Sequence, residues 1–430
     1  MSGDTDDTHQ GDTRHHGAHL RPEDVRALAR AHWPQALRYA VIALVSVGSI
    51  AGVGGLIRLV QGTEFERLSS DNVARLAPLW IAEAGGGPLG TPSIEDGALY
   101  VGSADGITAY PAPCPVQDET CAPLFRATVP DGPMSPPVRA QDTVYAGSSD
   151  GRLYAFPARC PEAGCEPLWV GLAGKGPVST PGVNDDFAYA ASDDLYAFPA
   201  ACGSEDRNCP PAWRGVVPGG AGPGAPGVGA GVIVVASDSE VGGVYGFPAV
   251  CSDPCEPLWT GETDGPVAGL TVAGDTAYAV ARGQVMAFPL SCSGRCAASW
   301  TGTFLPGAPF APGSVATPAV DGGQVAIGDE HGRLWVFPDG CGANTCDATL
   351  AVSVDDSTLS AAVFKDGVVY VASDDGHLYA VRRDCNPSAC RPAWSTFLGA
   401  ATAGAPAVAG DGVYAGDVEG RLHAYAVGGG

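Results

Sequence analysis

Lysine is almost missing from this chain: Lys175 and Lys365 are the only two in 430 residues. Basic residues number 23 against 47 acidic ones, for a formal charge of −24. That balance disfavours nucleic acid and anionic headgroups as partners of the molecule as a whole. It equally fits an acidic, soluble surface or the composition of a GC-rich genome. Charged residues are only 16% of the chain and apolar ones 45%, too apolar a mixture for disorder. No P-loop, HExxH or Gly-x-Ser-x-Gly elbow occurs. No cysteine precedes Cys114, so no acylation site for a lipoprotein is present. What is abundant is glycine, at 61 residues, and proline, at 37. Turn formers at that density favour an all-β fold over a helical one.

One apolar run stands apart. Nineteen uncharged residues lie between Arg38 and Arg58, and Leu59 and Val60 extend the stretch. At about 1.5 Å per residue a helix of this length spans a hydrocarbon core of roughly 30 Å. A cleavable signal peptide is the rival, but the preceding segment is long and no Ala-x-Ala site directly follows the apolar run. The expectation is therefore a transmembrane signal anchor over residues 39–60, preceded by a disordered cytoplasmic tail over 1–38 and followed by a juxtamembrane linker over 61–75. Arg14, Arg21, Arg26, Arg30 and Arg38 precede the span, against Arg67 and Arg75 soon after it, which places the N-terminus in the cytoplasm. Gly48 and Gly52 form a GxxxG spacing, and His9, His15, His16 and His19 cluster in the tail. Neither is read as a dimerisation or metal site: a Gly-rich run produces GxxxG by composition, and the histidines fall in a polar tail expected to be flexible.

From residue 76 to 430 the chain repeats. A large apolar marker recurs at Trp80, Phe125, Trp169, Trp213, Trp259, Trp300, Leu350 and Trp394. The spacing of about 45 residues is that of one four-stranded propeller blade. Strand A follows a small residue and proline, as in Thr91-Pro92 or Thr180-Pro181. Strand B reads like Val144-Tyr145-Ala146-Gly147-Ser148, strand C like Leu153-Tyr154-Ala155-Phe156, and strand D carries the marker. B–C turns such as Asp150-Gly151, Asp375-Gly376 and Glu419-Gly420 supply the positive φ that tight hairpins require. They lack the ligand density of a calcium loop. The last unit stops after Leu422-His423-Ala424-Tyr425 without a strand D, whereas an orphan strand D around Leu79-Trp80-Ile81 opens the array. Pairing these two ends gives an eight-bladed β-propeller closed by its N-terminal strand.

That closure explains an odd count. The 14 cysteines fall into seven pairs, each between strands C and D of one unit: Cys114/Cys121, Cys160/Cys165, Cys202/Cys209, Cys251/Cys255, Cys292/Cys296, Cys341/Cys346 and Cys385/Cys390. The eighth C–D hairpin is split between the two ends of the array and has no loop to staple. Recurrence at one place per repeat marks structural disulfides, which need an oxidising compartment. None of the pairs is CxxC and no His set accompanies them, against zinc and against redox catalysis.

The segment Asn72-Val73-Ala74-Arg75-Leu76-Ala77-Pro78-Leu79-Trp80 and repeats such as Val369-Tyr370-Val371-Ala372-Ser373-Asp374-Asp375-Gly376-His377-Leu378-Tyr379-Ala380 resemble the pyrroloquinoline-quinone (PQQ)-type propeller repeat. The resemblance covers residues 68–430 and implies the fold. That family contains dehydrogenases holding PQQ and calcium, and non-catalytic propellers such as a lipoprotein that scaffolds outer-membrane assembly. This chain lacks the adjacent Cys-Cys of many such enzymes and any Glu/Asn/Asp set to carry over as calcium ligands. Past residue 75 only His331, His377 and His423 remain, and His423 stands where strand C usually has tyrosine.

The expected function is a membrane-anchored, extracytoplasmic scaffold that binds an envelope protein or glycan, with no catalytic residues, metal or cofactor. The alternatives are a PQQ/calcium-dependent quinoprotein dehydrogenase, and an envelope sensor signalling through residues 1–38.

Overall fold

Strands B and C of the repeat alternate aromatic or branched residues with Ala and Gly, and the computed structural model buries them on both faces. The structure describes residues 66–430 except 115–119, 130–131, 161–163, 204–206, 223, 241, 306–316, 388, 403 and 429–430. The chain divides into two units, Met1–Gly62 and Thr63–Gly430. The expected tail at 1–38 and span at 39–60 lie outside the described residues. Among the described residues no helix is long and apolar enough to cross a membrane.

The repeats form eight sheets, each built on four antiparallel strands. Blade 1 comprises Ser93–Glu95, Ala98–Ser103, Gly106–Pro111 and Phe125–Thr128, and blade 7 comprises Val363–Lys365, Val368–Ala372, His377–Arg382 and Trp394–Phe397. The first strands of neighbouring blades touch one another all the way round, blade 8 to blade 1 included. Strand A is thus the inner wall of a closed ring and strand D its rim. The prolines expected at the start of strand A stand just before it, because a residue without an N–H cannot donate to the ladder.

Closure is as the strand count requires. Blade 8 has Ala407–Ala409, Gly412–Gly416 and Arg421–Val427, and its fourth strand is Leu76–Glu83. That strand pairs antiparallel with the last one, from Leu76 opposite Val427 to Glu83 opposite Arg421. The register slips between Pro78 and Trp80.

Blades pack through the marker tryptophans. Trp169, Trp213 and Trp259 are each 1% exposed, and such side chains bury roughly 150–250 Å² apiece. Trp259 stacks on Phe288 of the next blade, with ring centroids 6.3 Å apart. The glycine two residues later makes room for it: a Cβ on Gly261 would stand 2.6 Å from the Phe288 ring, and one on Gly171 2.4 Å from Phe198. The Trp-x-Gly and Ala-Phe-Pro motifs are therefore two halves of one inter-blade contact.

Candidate functional surfaces

A strand order of A to D, running outward, gives the ring two faces. The A–B turns and C–D loops share one, here called the staple face; the B–C turns and D–A crossings share the other. Backbone bonds such as Ser149 N–H to Pro133 O, 3.2 Å, and Asp374 N–H to Thr358 O, 3.0 Å, tie the crossings to the B–C turns.

All seven cysteine pairs are disulfide-bonded in the expected pairing, each closing a separation of four to seven residues. Their placement does more than close one hairpin. Each stapled loop whose backbone pairing is seen docks on the outer strand of the preceding blade. In blade 5, Gly294–Cys296 runs parallel to Trp259–Gly261 of blade 4 as a fifth strand. In blade 6, Thr345–Cys346 does the same along Thr301–Gly302 of blade 5. In blade 4, Cys255 N–H donates to Arg214 O of blade 3 at 2.8 Å, and in blade 3 Cys209 N–H donates to Val170 O of blade 2 at 2.9 Å.

The apolar seams repeat the pattern. Cys165 lies in the seam of blades 1 and 2, Cys209 in that of 2 and 3, Cys255 in that of 3 and 4. Cys296, Cys346, Cys385 and Cys390 occupy the next three, and Cys114 and Cys121 the seam of blades 8 and 1. The seam of blades 7 and 8 has no disulfide; Leu68, Val73 and Leu76 fill it. Residues 66–75, read from sequence as part of a linker, are thus an arm of the ring. Leu68 is 1% exposed and Val73 is fully buried, which an apolar pair gains by docking. Asn72 folds the arm by accepting from Ser69 N–H at 2.9 Å and donating to Arg67 O at 2.9 Å. Trp300 Nε1 donates to Asp339 O, just before the staple of the next blade, at 3.1 Å. Trp394 Nε1 donates instead to Leu76 O at 2.9 Å, so the arm takes the place of the missing eighth staple.

On the opposite face the turn aspartates are engaged locally. Asp329 accepts from His331 N–H at 2.8 Å, Arg333 N–H at 2.9 Å and Trp335 Nε1 at 2.8 Å. Asp150 accepts from Arg152 N–H at 3.0 Å and from Tyr154 Oη at 2.8 Å. Asp375 accepts from His377 N–H at 2.8 Å and faces Tyr379 Oη at 3.4 Å. Asp417 accepts from Glu419 and Arg421 N–H, each at 2.9 Å, and its Oδ2 lies 2.9 Å from His423 Nε2. Burial opposes the Asp417 charge, but the bonds from His423 and Arg421 hold its pKa below the usual carboxylate value. His423 is 2% exposed and does what Tyr154, Trp335 and Tyr379 do in their blades: it meets the turn acid from the second position of strand C. The three histidines are not brought together; they stand at the B–C hairpins of three different blades.

These four turn carboxylates are taken up by donors of their own hairpins and the cysteines are paired within theirs, so neither set is free to serve as ligands of a PQQ–calcium site. Among the described residues no three His, Cys, Asp or Glu side chains converge as metal ligands. A shallow cavity of about 350 Å³ opens at the rim between blades 2 and 3, lined by Arg152, Pro167, Val170, Leu172, Arg207 and Asn208.

Solved propellers share this fold with little sequence in common. The computationally designed Ika8 protein matches with a TM-score of 0.65 at 11% identity, over 81% of this chain and 99% of that one. BamB from Moraxella catarrhalis matches with a TM-score of 0.59 at 12% identity, over 82% and 97%. The Dos1 propeller matches with a TM-score of 0.63 at 11% identity, over 84% and 97%. No protein-family model and no curated protein matches the chain.

Proposed function

We propose that this propeller is a membrane-anchored, extracytoplasmic scaffold of the non-catalytic PQQ-like kind, binding an envelope protein or a glycan. The observation that carries the reading is the disulfide set. Seven seams of the ring are each lined by a disulfide. Such bonds persist in oxidising compartments and are rare in reducing ones. A ring latched at every seam is a rigid platform, and rigid β frameworks present binding surfaces on their turns. The apolar run at 39–60 supplies the anchor in this reading.

In-cell crosslinking of the tagged full-length chain, followed by mild-detergent purification and mass spectrometry, tests it. A stoichiometric envelope protein or a defined glycan supports the scaffold. A cytoplasmic protein as the main product, or turnover of an added substrate with PQQ and calcium, would overturn it.

A further inference from the structure

The staple face is not uniformly acidic. Blade 7 carries Lys365, Arg382, Arg383 and Arg391 in its A–B turn and C–D loop, against Asp366 and Asp384. In each of the other seven blades the same segments hold at least as many acids as bases by sequence: in blade 1, for instance, they contain Glu95, Asp96, Asp118 and Glu119 and no base of their own, and Asp96 pairs with Arg139 of blade 2 at 2.9 Å. One of only two lysines in the chain falls in this sector. The arm enters the ring at the same place. Glu66 N–H donates to Val427 O at 3.3 Å, and Arg67, 75% exposed, lies 3.5 Å from Asp366 in the A–B turn of blade 7. Arg75, 56% exposed, is paired with Glu66 of the arm, and Arg383, 31% exposed, lies 4.0 Å from Asp321 of blade 6. Exposed pairs such as Arg67 with Asp366 are weak and exchange readily for other anions.

We propose that the staple face of blade 7, with the adjoining arm, is a contact surface for an anionic bilayer. Lys365, Arg382, Arg383, Arg391 and Arg67 meet headgroup phosphates, and the B–C turn face is left to partners. The inference rests on the anchored reading given above. By sequence, five residues, Gln61 to Phe65, separate the apolar stretch from Glu66, a reach of about 20 Å when extended. Screening explains why a sector decides against a net charge of −24: only charges within about 10 Å of the headgroups act strongly on them. A cationic sector beside the entry point is drawn to the surface while the acidic remainder is held beyond that range.

The test uses the full-length chain reconstituted in vesicles of phosphatidylcholine alone, or with phosphatidylglycerol added, carrying an acceptor dye on the headgroups. A donor is placed by a non-natural amino acid at Asp411, in the A–B turn of blade 8, or at Val418, in its B–C turn; five strand residues, roughly 17 Å, separate the two turns. Transfer is expected to be several-fold higher from 411 than from 418, to rise with phosphatidylglycerol, and to fall in high salt. The variant Lys365→Gln/Arg383→Gln/Arg391→Gln should lose the dependence on phosphatidylglycerol. Arg391→Gln alone, at an exposed position, should weaken it where the triple variant does not fold. Flotation with the vesicles combined with transfer indifferent to lipid charge, or stronger from 418, would overturn the proposal alone. Failure to float in either lipid would overturn the anchored reading and the proposal with it.

Discussion

His423 shows how a residue can look functional in sequence and be explained by its position. A lone buried histidine beside a buried aspartate invites a catalytic reading, yet Tyr154 and Trp335 present the same kind of donor to the same turn. If the role is to satisfy Asp417, then His423→Tyr should stay within about 1 kcal/mol of the parent, whereas His423→Ala, which leaves a buried carboxylate oxygen short of a donor, should cost about 1–3 kcal/mol. Chemical denaturation of both variants checks this. Equal losses would mean that the tyrosine does not fit the site. Asn72 is the opposite case: it belongs to the motif that suggested the family, and its side chain folds the arm by bonding Ser69 and Arg67.

At the scale of elements, strand identity was legible because two-residue alternation and Asp-Gly turns specify hairpins locally. Cysteine pairing was legible for the same reason, since partners four to seven residues apart belong to one loop. What the loops dock on was not. The fifth strands at Gly294–Cys296 and Thr345–Cys346 are parallel pairings with the preceding blade, and their short segments carry no alternation to read. The arm was missed for a related reason: Leu68 and Val73 are too few and too irregularly spaced to show a period, and their partners lie some 300 residues away in blade 7. These observations separate two ideas of what a staple does. Replacing Cys341 and Cys346 with serine should cost about 2 kcal/mol, since the closed loop is short. Amide exchange should then quicken along Thr301–Gly302 of blade 5 as well as in blade 6. Quickening confined to blade 6 would contradict the latch.

For the whole molecule, closure is the feature on which the rest depends. The ring is held at seven seams by stapled loops and at the eighth by residues 66–76, and the same N-terminal segment supplies the rim strand of blade 8. Removing residues 66–82 therefore exposes the seam of blades 7 and 8 and unpairs Arg421–Val427 together. Hydrogen exchange should accelerate around the entire ring, because an opened propeller loses the mutual support of its blades. Loss of protection in blade 8 alone would argue against a cooperative ring. Blade number and closure could be read from the tally of strands and cysteines, whereas the two faces and their charge could not, because side chains distant in sequence share a face only once the ring is formed.

The most direct measurement of the account is a thiol count on protein taken from its native cells, alkylated before any reduction and weighed intact. The account predicts that none of the 14 cysteines is alkylated, and that all become so after reduction under denaturing conditions. Stoichiometric alkylation of folded protein before reduction would place the ring in a reducing compartment and contradict the extracytoplasmic scaffold.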